Sequence, residues 1–206
     1  MKLVVRMILA AMLVCLPFGA HAQDVITGPK KQKKQTTAPA KKTPKKQPST
    51  HTHYTLREMV EKGRNAEERR DYKEAAKWYR QAAQQGDVEG QFHLSRMYEY
   101  GWGVPRNYSM AVKMLKKSAA GGYPEAQYSL GVDYCQGYMM AHDYAEAMKW
   151  LLKASAQGSG AADYFIGYMY EEGKGVAKDS AEALRWYQRA AERGDPSAKN
   201  KLKSLK

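Results

Sequence analysis

The chain has 206 residues, 43% of them hydrophobic, and 34 basic residues against 21 acidic ones give a formal net charge of +13 at pH 7. That much apolar material can build a packed core, so the chain as a whole is not a disordered polyelectrolyte. Two cysteines are too few for a disulfide scaffold, and no apolar run reaches the length of a stable membrane span.

Residues 1–22 open with Lys2 and Arg6, run apolar from Met7 to Leu16, break at Pro17-Phe18-Gly19 and end on Ala20-His21-Ala22. This is the three-part layout of a secretory signal peptide, with cleavage expected after Ala22. An uncleaved anchor is the alternative; a lipid anchor through Cys15 lacks small residues before it, since Met12-Leu13-Val14 precede it. The expectation is an exported protein, periplasmic or secreted, with no transmembrane segment after cleavage. Only Cys135 then remains, so no intramolecular disulfide is available, and the thiol reads as a small semi-buried apolar group.

Residues 23–53 carry eight lysines, Lys30, Lys31, Lys33, Lys34, Lys41, Lys42, Lys45 and Lys46, among prolines, threonines and glutamines. Without apolar residues such a segment cannot offset the entropy of folding, so a disordered tether is expected. Its charge is +7, residues 54–198 balance at zero, and residues 199–206 add +4. The basicity therefore lies in the tails. The tether is either an element that contacts an anionic envelope surface, in a salt-sensitive way, or a solvated linker. Nucleic acid is not an expected partner, because no aromatic residues interleave with the lysines to stack on bases. His51-Thr52-His53 offers two imidazoles and no third ligand, so no metal site is expected.

From residue 54 onward the chain repeats. Gly86, Gly122, Gly158 and Gly194 are spaced by 36 residues, as are Ala75, Ala111, Ala147 and Ala183, and Trp78, Met114, Trp150 and Trp186. Apolar residues at i, i+3, i+4, i+7 and i+8, such as Ala183, Trp186, Tyr187, Ala190 and Ala191, form one stripe of an amphipathic helix. Each of these helices starts at an N-cap, Asp71, Asn107, Asp143 or Asp179, and three have the Glu of a capping box (Glu74, Glu146, Glu182). Each stops at a 36-spaced glycine suited to the left-handed turn after a helix. Between them lies a second helix type, with Gly90, Leu94 and Tyr98, then Ala126, Leu130 and Tyr134, then Ala162, Ile166 and Tyr170, and with Pro124 and Pro196 in the first turn. Small residues there, with Ser95, Gly131 and Gly167 further on, predict close helix approach. A period in this range signals a stacked all-α solenoid.

The segments "QYSLGVDY", "YFIGYMYEEGKGV", "DSAEALRWYQRAAERGD" and "DYKEAAKWYRQAAQQGD" resemble the Sel-one-like repeat family, relatives of the tetratricopeptide repeat. The resemblance implies a right-handed α/α solenoid of about four helix pairs: a tetratricopeptide-like unit at 54–87, repeats at 88–123, 124–159 and 160–195, and a cap helix or basic tail at 196–206. Two departures stand out. The middle unit has one glycine in its loop (Gly137-Tyr138-Met139-Met140), and Asp133 replaces the methionine found at Met97 and Met169.

Gly173-Lys174-Gly175 has a counterpart in Gly101-Trp102-Gly103, and a phosphate site would not accept Trp for Lys. The loop also lacks the spacing of a phosphate-binding loop, so it reads as a turn. No catalytic signature is present, and no cofactor is expected. Some cysteine-rich members of the family are associated with β-lactam binding or hydrolysis, but they carry disulfide pairs in their repeats and this chain has none. A hydrolase acting on cell wall or β-lactams is thus a distant alternative, and a structural subunit with an empty groove is another.

The reading adopted is a non-enzymatic adaptor that binds a protein or peptide in a concave groove lined by the first helix of each pair. That wall is expected to present Arg64, Glu67 and Glu68, then Phe92, Arg96, Glu99 and Tyr100, then Tyr128, Val132 and Gln136, then Tyr164, Tyr168, Glu171 and Glu172. Phe92, Tyr128 and Tyr164 recur at one register and are assigned to packing. The candidate partner-binding residues are Arg64, Arg96, Glu99, Tyr100, Val132, Tyr168 and Glu172. The oligomeric state is left open by the sequence.

Overall fold

The computed structural model describes residues 53–204. The leader, the tether lysines and the His51-Thr52 pair lie outside them. The described residues form helices and no strand: α1 (Leu56–Glu68), α2 (Tyr72–Gln84), α3 (Val88–Tyr100), α4 (Tyr108–Ala120), α5 (Pro124–Gln136), α6 (Tyr144–Ala156), α7 (Gly160–Glu172), α8 (Ser180–Glu192) and α9 (Pro196–Ser204). Each helix packs on the next along the chain, and the first helices of successive pairs also meet directly at α5 and α7. This is the stacking of hairpins that the repeat predicts. Among the described residues no helix is long and apolar enough to cross a membrane.

The start signals act as read, with one correction. Asp71, Asn107, Asp143 and Asp179 accept from the backbone N–H of Glu74, Met110, Glu146 and Glu182 at 3.1, 3.0, 3.0 and 2.9 Å. The reciprocal half of the capping box does not form at Glu74, Glu146 or Glu182. The N-cap N–H groups are already bonded to carbonyls of the preceding helix: Asp71 to Ala66, Asp143 to Tyr134 and Asp179 to Tyr170, at 2.9, 3.0 and 3.0 Å. A glutamate has no donor left to satisfy there, so Glu146 accepts instead from Lys149 Nζ and Trp150 Nε1, both at 2.9 Å. A complete box does form at α1, where Glu58 Oε2 accepts from the Thr55 N–H at 2.7 Å.

Burial follows the stripes. Leu94 and Met97 join Ala75, Tyr79 and Ala82 in one cluster; Leu115, Ala126 and Leu130 form a second; Leu151, Ile166 and Met169 form a third. Each fully buried Leu or Ile contributes about 2–3 kcal/mol of transfer free energy. Absent side chains let the two helices of a pair close up: a Cβ on Gly131 would sit 2.7 Å from Leu151 Cγ, and one on Gly167 would sit 2.8 Å from the Tyr187 ring. The loop after α7 uses both of its glycines. Gly173 has φ +68 as the cap of α7, and Gly175, with φ +71, passes against Tyr144 of the previous pair. The middle loop keeps the cap, with Gly137 at φ +68 and its N–H on the Asp133 carbonyl at 2.8 Å.

Candidate binding groove

Arg96, Glu99 and Tyr100 fall three and four residues apart near the end of α3, so they share one side of the helix. Facing them from α5 are Tyr128, Val132, Asp133 and Gln136, with Leu115 of α4 behind and Tyr138 of the following loop at the rim. Together they line a depression of about 380 Å³. The Arg96 guanidinium lies 4.9 Å from the Tyr100 ring centre, and its Nε is 3.9 Å from Glu99 Oε2. Tyr100 stacks on Trp102 at 4.7 Å, and Trp102 stacks on Tyr72 at 5.3 Å, so the rim rests on the preceding pair. Burial, reinforced by the Glu99 charge and opposed by Arg96, pushes the Asp133 carboxyl up to about 7.

A second depression, of about 430 Å³, opens between α5 and α7 and shares Gln136 with the first. Cys135, His142, Tyr164, Phe165, Tyr168 and Lys174 line it. The His142 ring sits with Nδ1 3.0 Å from the Cys135 carbonyl oxygen. Burial pushes the Cys135 thiol up, with the nearby Lys174 charge opposing. Lys174 takes the loop position of Trp102 and Tyr138, and its ammonium lies 5.4 Å from the Tyr168 ring centre and 5.8 Å from that of Tyr144. The Tyr168 hydroxyl holds that ammonium above its ordinary range. Neither depression holds a nucleophile paired with a base, and no cluster of three His, Cys, Asp or Glu suited to a metal exists among the described residues.

The Sel1 repeat family model matches four consecutive segments, residues 58–87, 88–123, 124–159 and 160–195. The chain belongs to the Sel1 repeat family. It is similar to the crystal structure of a Sel1 repeat protein from Oxalobacter formigenes, at 34% identity and a TM-score of 0.68, over 70% of this chain and 60% of that one. It is similar also to a protective antigen present in uropathogenic Escherichia coli strains that displays this fold, at 32% identity and a TM-score of 0.68, over 73% of this chain and 33% of that one. The chain thus spans less than two thirds of either relative. A comparison with curated proteins found no match. Sel1 repeat proteins are in general protein-interaction scaffolds and typically non-enzymatic.

Laid over the Sel1 repeats, the sequence-named residues divide. Arg96, Glu99, Tyr100 and Val132 converge in the first depression, and Tyr168 lines the second. Arg64 and Glu172 line neither: Arg64 pairs with Glu89 across α1 and α3 at 3.4 Å, and Glu172 is an exposed last residue of α7. Glu67 and Glu171 are held by the hydroxyls of Tyr79 and Tyr187 at 2.8 and 2.7 Å. Phe92 packs as assigned, near Tyr123 at 5.3 Å, whereas Tyr128 and Tyr164 also line the depressions.

Asp133 was visible in the sequence as a departure but not as a groove residue. The Asp163 cluster carried a weaker signal: Gln91, Gln127 and Asp163 share one Sel1 register, and only the last is charged. Gln91 and Gln127 donate to the carbonyls of Ala83 and Ala119, at 3.5 and 3.2 Å. Asp163 instead takes Arg189 and Arg193.

Proposed function

We propose that this chain is an exported, non-enzymatic scaffold whose α3–α5–α7 face binds an extended segment of a protein partner in the cell envelope. The lysines of residues 30–46 add contact with an anionic surface. One observation carries the groove assignment: four residues named for specificity come together in one depression that adjoins a second along α5. Packing does not require two of them, since Arg96 and Tyr100 remain substantially exposed while the core beneath is closed. Stacked helix pairs suit an extended ligand because each repeat offers a fresh contact at a regular step. Arg and Tyr are common anchors of such contacts. Export rests on the leader layout, and the protective-antigen relative favours it.

The test is a crosslinking pull-down from envelope extract with residues 23–206 and 54–206 in parallel, at low and high salt, each repeated with Arg96→Ala plus Tyr168→Ala. Capture of one protein by both forms, resistant to salt and lost on double substitution, is the expected result. Capture by the longer form alone, released by salt, would place recognition in the lysine segment instead.

A further inference from the structure

We infer that the α3–α5 depression seats a cationic side chain, lysine or arginine, of the polypeptide that binds along the groove; this rests on the groove reading above. Two breaks in the repeat meet at this spot. Glu67, Glu99, Cys135 and Glu171 share one register on the first helices. In the first and last pairs a tyrosine of the second helix, Tyr79 or Tyr187, donates its hydroxyl to that glutamate. The second pair has Leu115 at the tyrosine's register, so Glu99 has no such donor. Its side chain is only 14% exposed, and its partners within the described residues are the long contact to Arg96 and the hydroxyl of the adjacent Tyr100, both on its own helix.

The second break is Asp133. Its register partners Met97 and Met169 are fully buried core residues. The Asp133 side chain is half-buried and makes no hydrogen bond or ion pair among the described residues. Methionine serves packing better there, because a half-buried carboxylate without a partner is costly. Both departures thus put under-partnered carboxylates against one cavity.

The walls agree with a cation. Tyr128 and Tyr138 line the depression with aromatic rings, which attract one, and the Tyr100 ring already carries the Arg96 guanidinium. Arg96 is the single basic residue of the lining, and its side chain is 41% exposed and laid over Tyr100, toward the rim. An anionic group entering the depression would meet both carboxylates, and an apolar one would leave them unpaired. A chelated metal ion lacks a third ligand within the described residues. A side chain of a longer segment fits better than a free amine, because the cavity continues past Gln136 into the α5–α7 depression.

The experiment is panning of random short peptides on the full chain, followed by synthesis of the selected peptides with each Lys or Arg or with norleucine in its place. In the parent, the exchange should weaken binding about tenfold or more. In Asp133→Asn the two peptides should bind within about twofold of each other, and Glu99→Gln should reduce the gap part-way. Thermal melts of both variants show that they fold. Selected peptides that need Arg96 and Tyr168 but ignore the exchange, or lose as much by it in Asp133→Asn as in the parent, overturn the cation seat and leave the groove standing. Selection of no peptide that depends on Arg96 or Tyr168 overturns both.

Discussion

Arg193, at the end of α8, reaches back to place its Nη1 2.7 Å from Oδ2 of Asp163, a carboxylate with no exposure to solvent. Arg189 closes the other side, with Nε and Nη2 at 3.0 and 2.7 Å from the two carboxylate oxygens, and also bonds the Ser155 hydroxyl. One repeat earlier the same contact is neutral, with Gln157 Nε2 donating to Gln127 Oε1 at 2.8 Å. The last hairpin is therefore locked by an ion cluster where its neighbour uses an amide pair. Removing both cations with Arg189→Met plus Arg193→Met strands a buried carboxylate and should cost about 3–5 kcal/mol. Asp163→Gln, which restores the amide of the other repeats, should cost about 1 kcal/mol, because the freed guanidinium groups can turn to water. Urea denaturation of the three proteins checks the order; equal losses would deny the cluster its role.

Glycine positions that share positive φ should differ in cost. Gly158 has φ +93 with nothing within 4 Å of a built Cβ, so Gly158→Ala should cost about 1 kcal/mol of backbone strain alone. Gly175 combines φ +71 with direct contact between a built Cβ and the Tyr144 side chain. Gly175→Ala should therefore cost about 2–4 kcal/mol, adding overpacking to strain. Thermal melts compare them, and equal shifts would show that the Gly175 loop yields without resistance.

The fold was legible because one physical cause recurs every 36 residues. Asp or Asn before the second helix, small residues at Ala126 and Ala162, and glycine after the helix each solve the same local problem in each unit. Repetition therefore singles them out. The groove was legible in part for the converse reason: Arg96, Tyr100, Val132 and Tyr168 do not repeat. Arg64 lies outside both depressions, and its neighbour across the stack is Glu89, with which it pairs at 3.4 Å. Asp163 escaped because its partners are 26 and 30 residues away, a pairing that only the hairpin brings about.

The N-cap geometry separates two residues that the sequence pairs. Asp143 caps α6 by accepting from Glu146 N–H at 3.0 Å, whereas the Asp143 N–H is taken by the Tyr134 carbonyl. Asp143→Ala should cost about 1 kcal/mol through the lost cap. Glu146→Gln should cost less than about 0.5 kcal/mol, because Gln keeps an acceptor for Trp150 Nε1 and the exposed pair with Lys149 is worth little. Comparable losses in urea melts would restore the reciprocal box.

Asp133 should give the stability curve a slope of unusual sign for a carboxylate. Burial, with Glu99 adding and Arg96 opposing, raises its folded-state value to about 7, while the unfolded chain titrates near the ordinary value of about 4. Between those limits the folded protein holds a proton that the unfolded chain has lost. Its contribution to stability is therefore fully present below about pH 4, falls as pH rises toward 7, and levels off above. Asp133→Asn removes the titration. The variant should match the parent near pH 4 and exceed it by about 1–2 kcal/mol at pH 8, less than the full shift because the depression is open to water. Urea melts of both proteins across that range decide it. A gap that stays constant with pH, or one that grows toward acid, would mean that the Asp133 carboxylate is already satisfied in the folded chain, leaving Glu99 alone to receive a bound cation.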